Sequence, residues 1–489
     1  MQKIPKTMSS QHPDNVNTPF FAQSPILDGE HEIEEAFYAF THLDCDEQMW
    51  DYEGKEVDSF VVKKLLTKYS SYLQEKRLGR DIFLTLRVPN PNFEKAEAKV
   101  LLETLESIPR SFDAAKLIYK DDIPPIFEII LPMTSTARSL DRIYHYYKDF
   151  VVGKQDKRFI DDEITIAEWI GEFKPKKINV IPLFEDKMNM LNAADITREF
   201  IKDKDISYQR VFLARSDPAQ NYGLVSAVLI NKIALQRLYI LSKEMAINIY
   251  PIIGVGSAPF RGNLKPDTCE RVMYEYPYVT TYTIQSSFKY DYPFDEVRKA
   301  IKLINKKNIL SPREIDEALC LEIIENYSRD YQKHVIDLTA IINEIAKFIP
   351  SRRARKLHIG LFGYSRSLEQ DPIQYLPRAI SFTAGLYSLG LPPELIGLTA
   401  LTEDDMTIIK KYYINLEQDL KDAFQYYNPD SPFIPEDLKL ALKDFPLDYE
   451  INKEHQKITS EIAEHIRKKT NIDLSQLVLR AANTRRFLG

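Results

Sequence analysis

RVFLARSDPAQNYGLVSAVLINKIALQRLYILSKEMAINIYPIIG, residues 210–254, contains one full period of the pattern that sets the fold. Residues 210–214 form a short apolar run of strand character, and the polar Arg215, Ser216 and Asp217 follow at once. Leu224, Val225, Val228, Leu229 and Ile233 then recur at helical spacing before residues 248–253 return to a β-branched run. Strand, polar turn, helix and strand in that order describe a βα unit whose parallel strands are buried on both faces.

The alternation extends in both directions. Runs at 82–88, 126–131 and 178–184 precede the quoted stretch, and runs at 280–284, 357–362 and 396–401 follow it. Between the first two, Ala96, Val100, Leu101 and Leu105 repeat at helical spacing. Eight strands with intervening helices predict an α/β fold, a (β/α)8 TIM-type barrel decorated with additional helices. The barrel is expected over 81–402, with a helical insertion at 313–348 between the sixth and seventh strands and a helical segment at 403–489 packed on it. Residues 1–80, in which Pro13, Pro19 and Pro25 break any early helix, read as a cap. No Gly/Ser/Pro-rich linker divides these parts, so a single structural unit is expected.

Composition narrows the function. With 44% hydrophobic and 28% charged residues among 489, the chain is globular, and a disordered, collagen-like or coiled-coil protein is excluded. A net charge of −7 argues against a nucleic-acid partner. Cys45, Cys269 and Cys320 lie far apart without a CxxC pair, which fits a reducing cytoplasm, and no uninterrupted apolar window suggests a membrane span.

A βα barrel assembles its site at the C-terminal ends of its strands. The residues there are Arg87, Met133-Thr134-Ser135, Glu185-Asp186, Arg215-Ser216-Asp217, the 254–262 loop with Arg261, Gln285-Ser286-Ser287 with Lys289, and the segment containing Arg366. Two carboxylates on neighbouring strand ends suit a Mg²⁺ that keeps most of its waters, and arginine forks suit phosphate or carboxylate. The ensemble reads as a site for a small, multiply anionic phosphorylated acid. Each residue also has a plainer reading. Asp217, before Pro218, would serve as a helix N-cap, Glu185 would favour the dipole of the next helix, and single arginines are commonly paired on the surface. His12, in Ser10-Gln11-His12-Pro13-Asp14, is a turn histidine or a proton carrier reaching the site. The run Arg352-Arg353-Ala354-Arg355-Lys356 reads as a solvated face.

These residues form an ordered series. Gln11-His12-Pro13, Leu86-Arg87, Pro182-Leu183-Phe184-Glu185, Arg215-Ser216-Asp217-Pro218-Ala219, Phe260-Arg261-Gly262, Gln285 with Phe288-Lys289-Tyr290, and Leu376-Pro377-Arg378 together resemble phosphoenolpyruvate carboxylase. The stretches 8–19 and 45–58 and the ending Arg485-Arg486-Phe487-Leu488-Gly489 resemble its short, archaeal-type branch. The resemblance implies a cytoplasmic homotetramer that carboxylates phosphoenolpyruvate with bicarbonate to oxaloacetate and phosphate, an anaplerotic reaction. Carboxyphosphate and the enolate of pyruvate are its intermediates. It implies Mg²⁺, with Mn²⁺ as the alternative ion, on Glu185 and Asp217. His12 would accept the proton of carboxyphosphate, Arg261 would steady carboxyphosphate and then carbon dioxide, and Arg87 and Arg378 would hold the phosphate. Arg366, Arg215, Gln285 and Lys289 complete the expected substrate contacts. Asp14, Gln220 and Asn263 stand where the long bacterial and plant branch has threonine, lysine and a second arginine. The rival readings are a Mg²⁺-dependent lyase or aldolase acting through a pyruvate enolate, and a non-catalytic helical scaffold.

Overall fold

The computed structural model describes residues 3–489 apart from 54, 56, 162, 355–361, 369–373, 444 and 471, with backbone alone at 362–368 and 374. Eight parallel strands close on themselves: β1 Thr7–Ser9, β2 Glu47–Asp51, β3 Phe83–Arg87, β4 Glu128–Leu131, β5 Asn179–Phe184, β6 Tyr208–Ala214, β7 Asn248–Gly254 and β8 Thr281–Ile284. The seam is β1, where Met8 lies opposite Glu47 on one side and Thr283 on the other.

Six of the expected strands, those between 82 and 284, are barrel strands. The barrel closes without the other two. Residues 396–401 contain only a short 3₁₀ turn, Leu398–Ala400. Residues 357–361 lie outside the described residues, and Phe362 opens β9 Phe362–Leu368, which pairs antiparallel with β10 Gln374–Pro377 apart from the barrel. The first 80 residues supply the missing pair, β1 and β2. Neither shows an apolar run: β1 is only Thr7-Met8-Ser9, and β2 carries Glu47, Gln48 and Asp51. Alternation along a strand turns Glu47, Met49 and Asp51 to the barrel interior. At the bottom, Arg210 Nη1 and Nη2 donate to Glu47 at 2.8 and 2.7 Å, Nη1 to Glu128 at 2.9 Å and Nη2 to Thr281 at 3.3 Å. This is one layer contributed by the four even strands. Above it Met8, Met49, Ile130, Ile181, Leu183, Phe212 and Ile252 fill the barrel with apolar volume.

The helices cover the outer strand faces. Leu224–Met245 is long and apolar enough to cross a membrane, but 78% of its apolar window is buried inside the protein. It is apolar all round because it packs between β7 and the 30-residue helix Glu317–Ala346. That helix is the expected insertion, and it follows the sixth expected strand, 280–284, which is β8 and the last of the barrel. Asp316 caps it by accepting from the N–H groups of Ala318 and Leu319. Gly223, at φ +82°, lets it approach: a Cβ there would lie 2.5 Å from the Tyr327 ring. Tyr331 Oη then donates to the Gln220 carbonyl at 3.0 Å, which fixes the short helix Ser216–Tyr222 at the barrel mouth. The C-terminal helices fold back to the same mouth, where Val16, Ala384, Ala482 and Leu488 form a small cluster.

Candidate active site

A cavity of about 490 Å³ opens at the C-terminal ends of the strands. His12, Arg87, Glu185, Arg215, Asp217, Arg261, Gln285 and Arg378 all line it. The sequence places them on seven separate segments, and barrel closure brings them together. Lys289 is not among the lining residues: its ammonium is buried on Ser9 Oγ, the Ser10 carbonyl and Glu35. The side chain of Arg366 lies outside the described residues.

His12 does not sit in a solvated turn. Ser10 N–H donates to the Ile284 carbonyl at 3.0 Å and Ser286 N–H to the His12 carbonyl at 3.2 Å, so the segment continues β1 along β8 into the mouth. Gln11 Oε1 accepts from Asp51 N–H at 2.9 Å, and Asp14 Oδ1 from Ser287 N–H at 2.7 Å. Burial first, and then the nearby Arg87 and Lys55, push the imidazole well below its ordinary value. At neutral pH it is an uncharged proton acceptor.

Arg87 is gripped by acids that sequence reasoning missed. Its Nε and Nη2 donate to the two oxygens of Asp51 at 2.7 Å each, and Nη2 lies 3.0 Å from Glu53. Lys55 also contacts Asp51. Burial alone would raise Asp51, but Arg87 and Lys55 outweigh it and hold the carboxyl well below the usual range. Nη1 of Arg87 remains for a ligand in the cavity. Asp51, Glu53 and Lys55 were hidden because their strand was read as part of a cap. The available signal was the position of Trp50-Asp51 at the end of a short buried segment.

Glu185 and Asp217 face the cavity from the ends of β5 and β6. Neither is a helix cap. Asp186, not Glu185, caps the next helix by accepting from Asn189 N–H at 3.0 Å. Asp217 is inside the first turn of Ser216–Tyr222, with Arg215 in the flanking position and no side-chain cap. Met133, held at φ +50°, donates its N–H to Glu185 Oε2 at 2.5 Å, local backbone strain of the kind that gathers at functional sites. Burial, and then repulsion from Asp217 and Glu53, push Glu185 up to about 8 against the pull of Arg87. Two carboxylates that repel across one cavity form a donor set for a hard cation. Among the described residues no group of three or more His, Cys, Asp or Glu is placed to hold a metal ion.

Arg261 is the most constrained side chain of the mouth. Nε donates to Ser216 Oγ at 3.1 Å, Nη2 to Gln285 Oε1 at 2.6 Å, and Nη1 to the Gly489 oxygen at 2.6 Å and Asp14 Oδ2 at 3.3 Å. Its loop folds on itself through Gly256 N–H to the Arg261 carbonyl at 2.8 Å, and Glu394 Oε1 accepts from Phe260 N–H at 2.6 Å. Arg215 also serves the loop, donating from Nη1 to the Phe260 carbonyl at 3.2 Å. The basic run is likewise internal. Arg353 binds Glu35 at 2.7 and 2.6 Å, and Arg352 donates to the Asn15 and Val16 carbonyls, while Arg355 and Lys356 fall outside the described residues. The solvated face expected for this run is corrected at both described arginines: the negative charge of Glu35 and unpaired loop carbonyls draw them inward.

The family model of phosphoenolpyruvate carboxylase matches residues 4–489. The chain belongs to the phosphoenolpyruvate carboxylase family. It is 54% identical over 487 residues to the phosphoenolpyruvate carboxylase of Methanospirillum hungatei, and 55% identical over 487 residues to that of Methanothermobacter thermautotrophicus, with 100% of each chain covered. A third, from Pyrococcus furiosus, is 54% identical over 430 residues, 87% of this chain and 89% of the relative. A solved citrate lyase from Burkholderia xenovorans shares 11% identity at a TM-score of 0.36 over 62% of this chain and 78% of its own, too remote to bear on the site.

Membership in this carboxylase family gives the three departures from the long-branch pattern a physical account. Asp14 ties Arg261 to the Ser287 amide. Gln220 Nε2 donates to the Pro377 carbonyl at 2.6 Å, beside Arg378. Asn263 Nδ2 donates to Asp419 at 2.7 Å and Asp422 at 2.8 Å, anchoring the Arg261 loop to the C-terminal helices. All three have become struts.

Proposed function

We propose that this protein carboxylates phosphoenolpyruvate with bicarbonate, giving oxaloacetate and phosphate. The observation that carries the reading is the convergence in one cavity of a neutral histidine, the arginines Arg87, Arg215, Arg261 and Arg378 from distant segments, and a repelling carboxylate pair. Glu185 and Asp217 would hold Mg²⁺, or Mn²⁺ in its place, and the bound ion would supply charge neutralisation for phosphate and enolate oxygens.

Arg87 and Arg378 orient the phosphate. A bicarbonate oxygen attacks phosphorus, and the bond from phosphorus to the enol oxygen breaks, leaving carboxyphosphate and the enolate of pyruvate. Nε2 of His12 takes the carboxyl proton of carboxyphosphate. Its electron pair closes the second C=O bond as the C–O bond to phosphate breaks, and the proton passes on to the departing phosphate. Arg261, held on every nitrogen, keeps carbon dioxide over the enolate carbon, whose attack forms the new C–C bond. Exclusion of water at this stage prevents protonation of the enolate to pyruvate.

Exposed Phe150, Phe159, Ile160 and Trp169 on the segment between β4 and β5 support assembly, and we place the working form as a cytoplasmic homotetramer. The test is an assay of purified protein with phosphoenolpyruvate, bicarbonate and Mg²⁺, following oxaloacetate by its reduction and phosphate in parallel. Equal yields that require bicarbonate are expected. Cleavage of phosphoenolpyruvate without any need for bicarbonate would overturn the reading.

A further inference from the structure

The His12 ring is gripped from one side. Ser10 Oγ lies 2.9 Å from Nδ1, while Nε2 is the ring nitrogen left for the cavity that His12 lines. Ser10 is itself immobile. It is fully buried, its N–H donates to Ile284, and its carbonyl accepts from Lys289 Nζ at 3.0 Å. Lys289 is fixed by Glu35 at 2.8 Å, and Glu35 by the two-pronged Arg353. None of Ser10, Lys289, Glu35 and Arg353 lines the cavity. Burying such ions is costly, and this cluster touches no substrate. What it delivers to the mouth is a rigid Ser10.

We infer that Ser10 is a positioning residue for His12, setting the orientation of the ring. When Nδ1–H donates to Ser10 Oγ, Nε2 keeps its lone pair and faces the cavity as a proton acceptor. Without the hydroxyl the ring can turn, and Nε2 is no longer aimed into the cavity. The inference rests on the proton-accepting role proposed for His12.

Ser10→Ala, Ser10→Cys, Ser10→Thr and His12→Asn, compared with the unaltered protein, test it. The readouts are kcat, KM for phosphoenolpyruvate, the ratio of phosphate to oxaloacetate, and melting temperature. Ser10→Ala is expected to lower kcat for oxaloacetate about 10-fold, the size of one lost hydrogen bond, with KM within about 2-fold. Phosphate should outrun oxaloacetate, with pyruvate making up the difference. Ser10→Cys, close in volume but a poor hydrogen-bonding partner, should show the same imbalance and keeps the test open should Ser10→Ala not fold. Ser10→Thr, which retains the hydroxyl, should restore the balance. A normal ratio in Ser10→Ala or Ser10→Cys, or equal losses in Ser10→Ala and Ser10→Thr, would overturn the role of Ser10 while leaving His12 its own. A normal product ratio in His12→Asn would instead remove the proton acceptor, and the inference with it.

Discussion

At the N-terminal ends of the strands Arg210 commits both Nη groups to Glu47 and Glu128, with Thr281 filling the remaining gap. At the C-terminal ends Arg87 leaves one nitrogen to the cavity, and Glu185 and Asp217 repel each other across it. The two regions use the same residue types in the same barrel, some strands contributing to both. In the lower one Arg210 grips both acids and Tyr208 Oη donates to Glu128 as well, so the chain's own groups enclose them. In the upper one burial and the repulsion of Asp217 and Glu53 work against the charge of Glu185, and Nη1 of Arg87 is left to the cavity. Buried charge becomes scaffold or site according to whether its complement is supplied by the chain.

Removing Arg210 should break the closed end first. Arg210→Met leaves two acids buried without their partner, and a loss of about 3–5 kcal/mol of unfolding free energy is expected in denaturant titrations. Its kcat, per folded molecule, should stay within about 2-fold. A comparable collapse of activity at full stability would erase the distinction between the two ends.

The open end should respond in the opposite sense. Asp217→Asn and Glu185→Gln should each lower kcat/KM on the order of 100-fold or more and weaken Mg²⁺ activation. Their melting temperatures should hold or rise, since each removes a repulsion. The double variant should fall far short of the sum, because one cation answers to both. A lowered melting temperature with unaltered Mg²⁺ activation would return both acids to a structural role.

Arg261→Lys keeps a charge but not the fork that reaches Ser216, Gln285 and Gly489. Phosphoenolpyruvate should bind as before while the oxaloacetate-to-phosphate ratio drops about 10-fold. An unchanged ratio would remove Arg261 from the carbon dioxide site. The mildest change is Gly256→Ala, whose Cβ would stand 2.8 Å from Gln285 Oε1 and 2.9 Å from Arg261 Nη1. Displacing those side-chain ends should reduce carboxylation about 3-fold at nearly constant stability. Normal carboxylation would show that the tight setting of Arg261 is dispensable.

The strands β3 to β8 were legible because their outward faces meet helices and their runs are apolar. β1 and β2 were not, since a barrel wall that carries Glu47 below and Asp51 above reads as loop. At the mouth, position after a strand was enough to gather Arg87, Glu185, Asp217, Arg261 and Gln285. It could not tell which partner each would take. Lys289 and Gln285 stand on either side of one turn, yet Gln285 reaches Arg261 at the cavity and Lys289 turns back to Glu35. Arg353, read as solvated, is among the largest fully buried side chains. Partner choice is a tertiary property, set by which buried acid lies within reach, and no local spacing encodes it.

The seam of the barrel bears on how the protein comes to be active during its synthesis. β1 pairs with β2 early but can find β8 only after residue 284 has emerged, so the β1–β8 edge is the last to be locked in place. Ser10 and His12 follow β1 directly. A nascent chain already paired from β1 to β7 could hold Arg87, Glu185 and Asp217 around a half-formed mouth, but His12 would still lack the β8-side bonds, Ser10 N–H to Ile284 and Ser286 N–H to the His12 carbonyl, that set its segment in place. Closing that long loop is entropically the slow event, and it is the same event that delivers the proton acceptor. Folding and activation of this chain therefore share a final step.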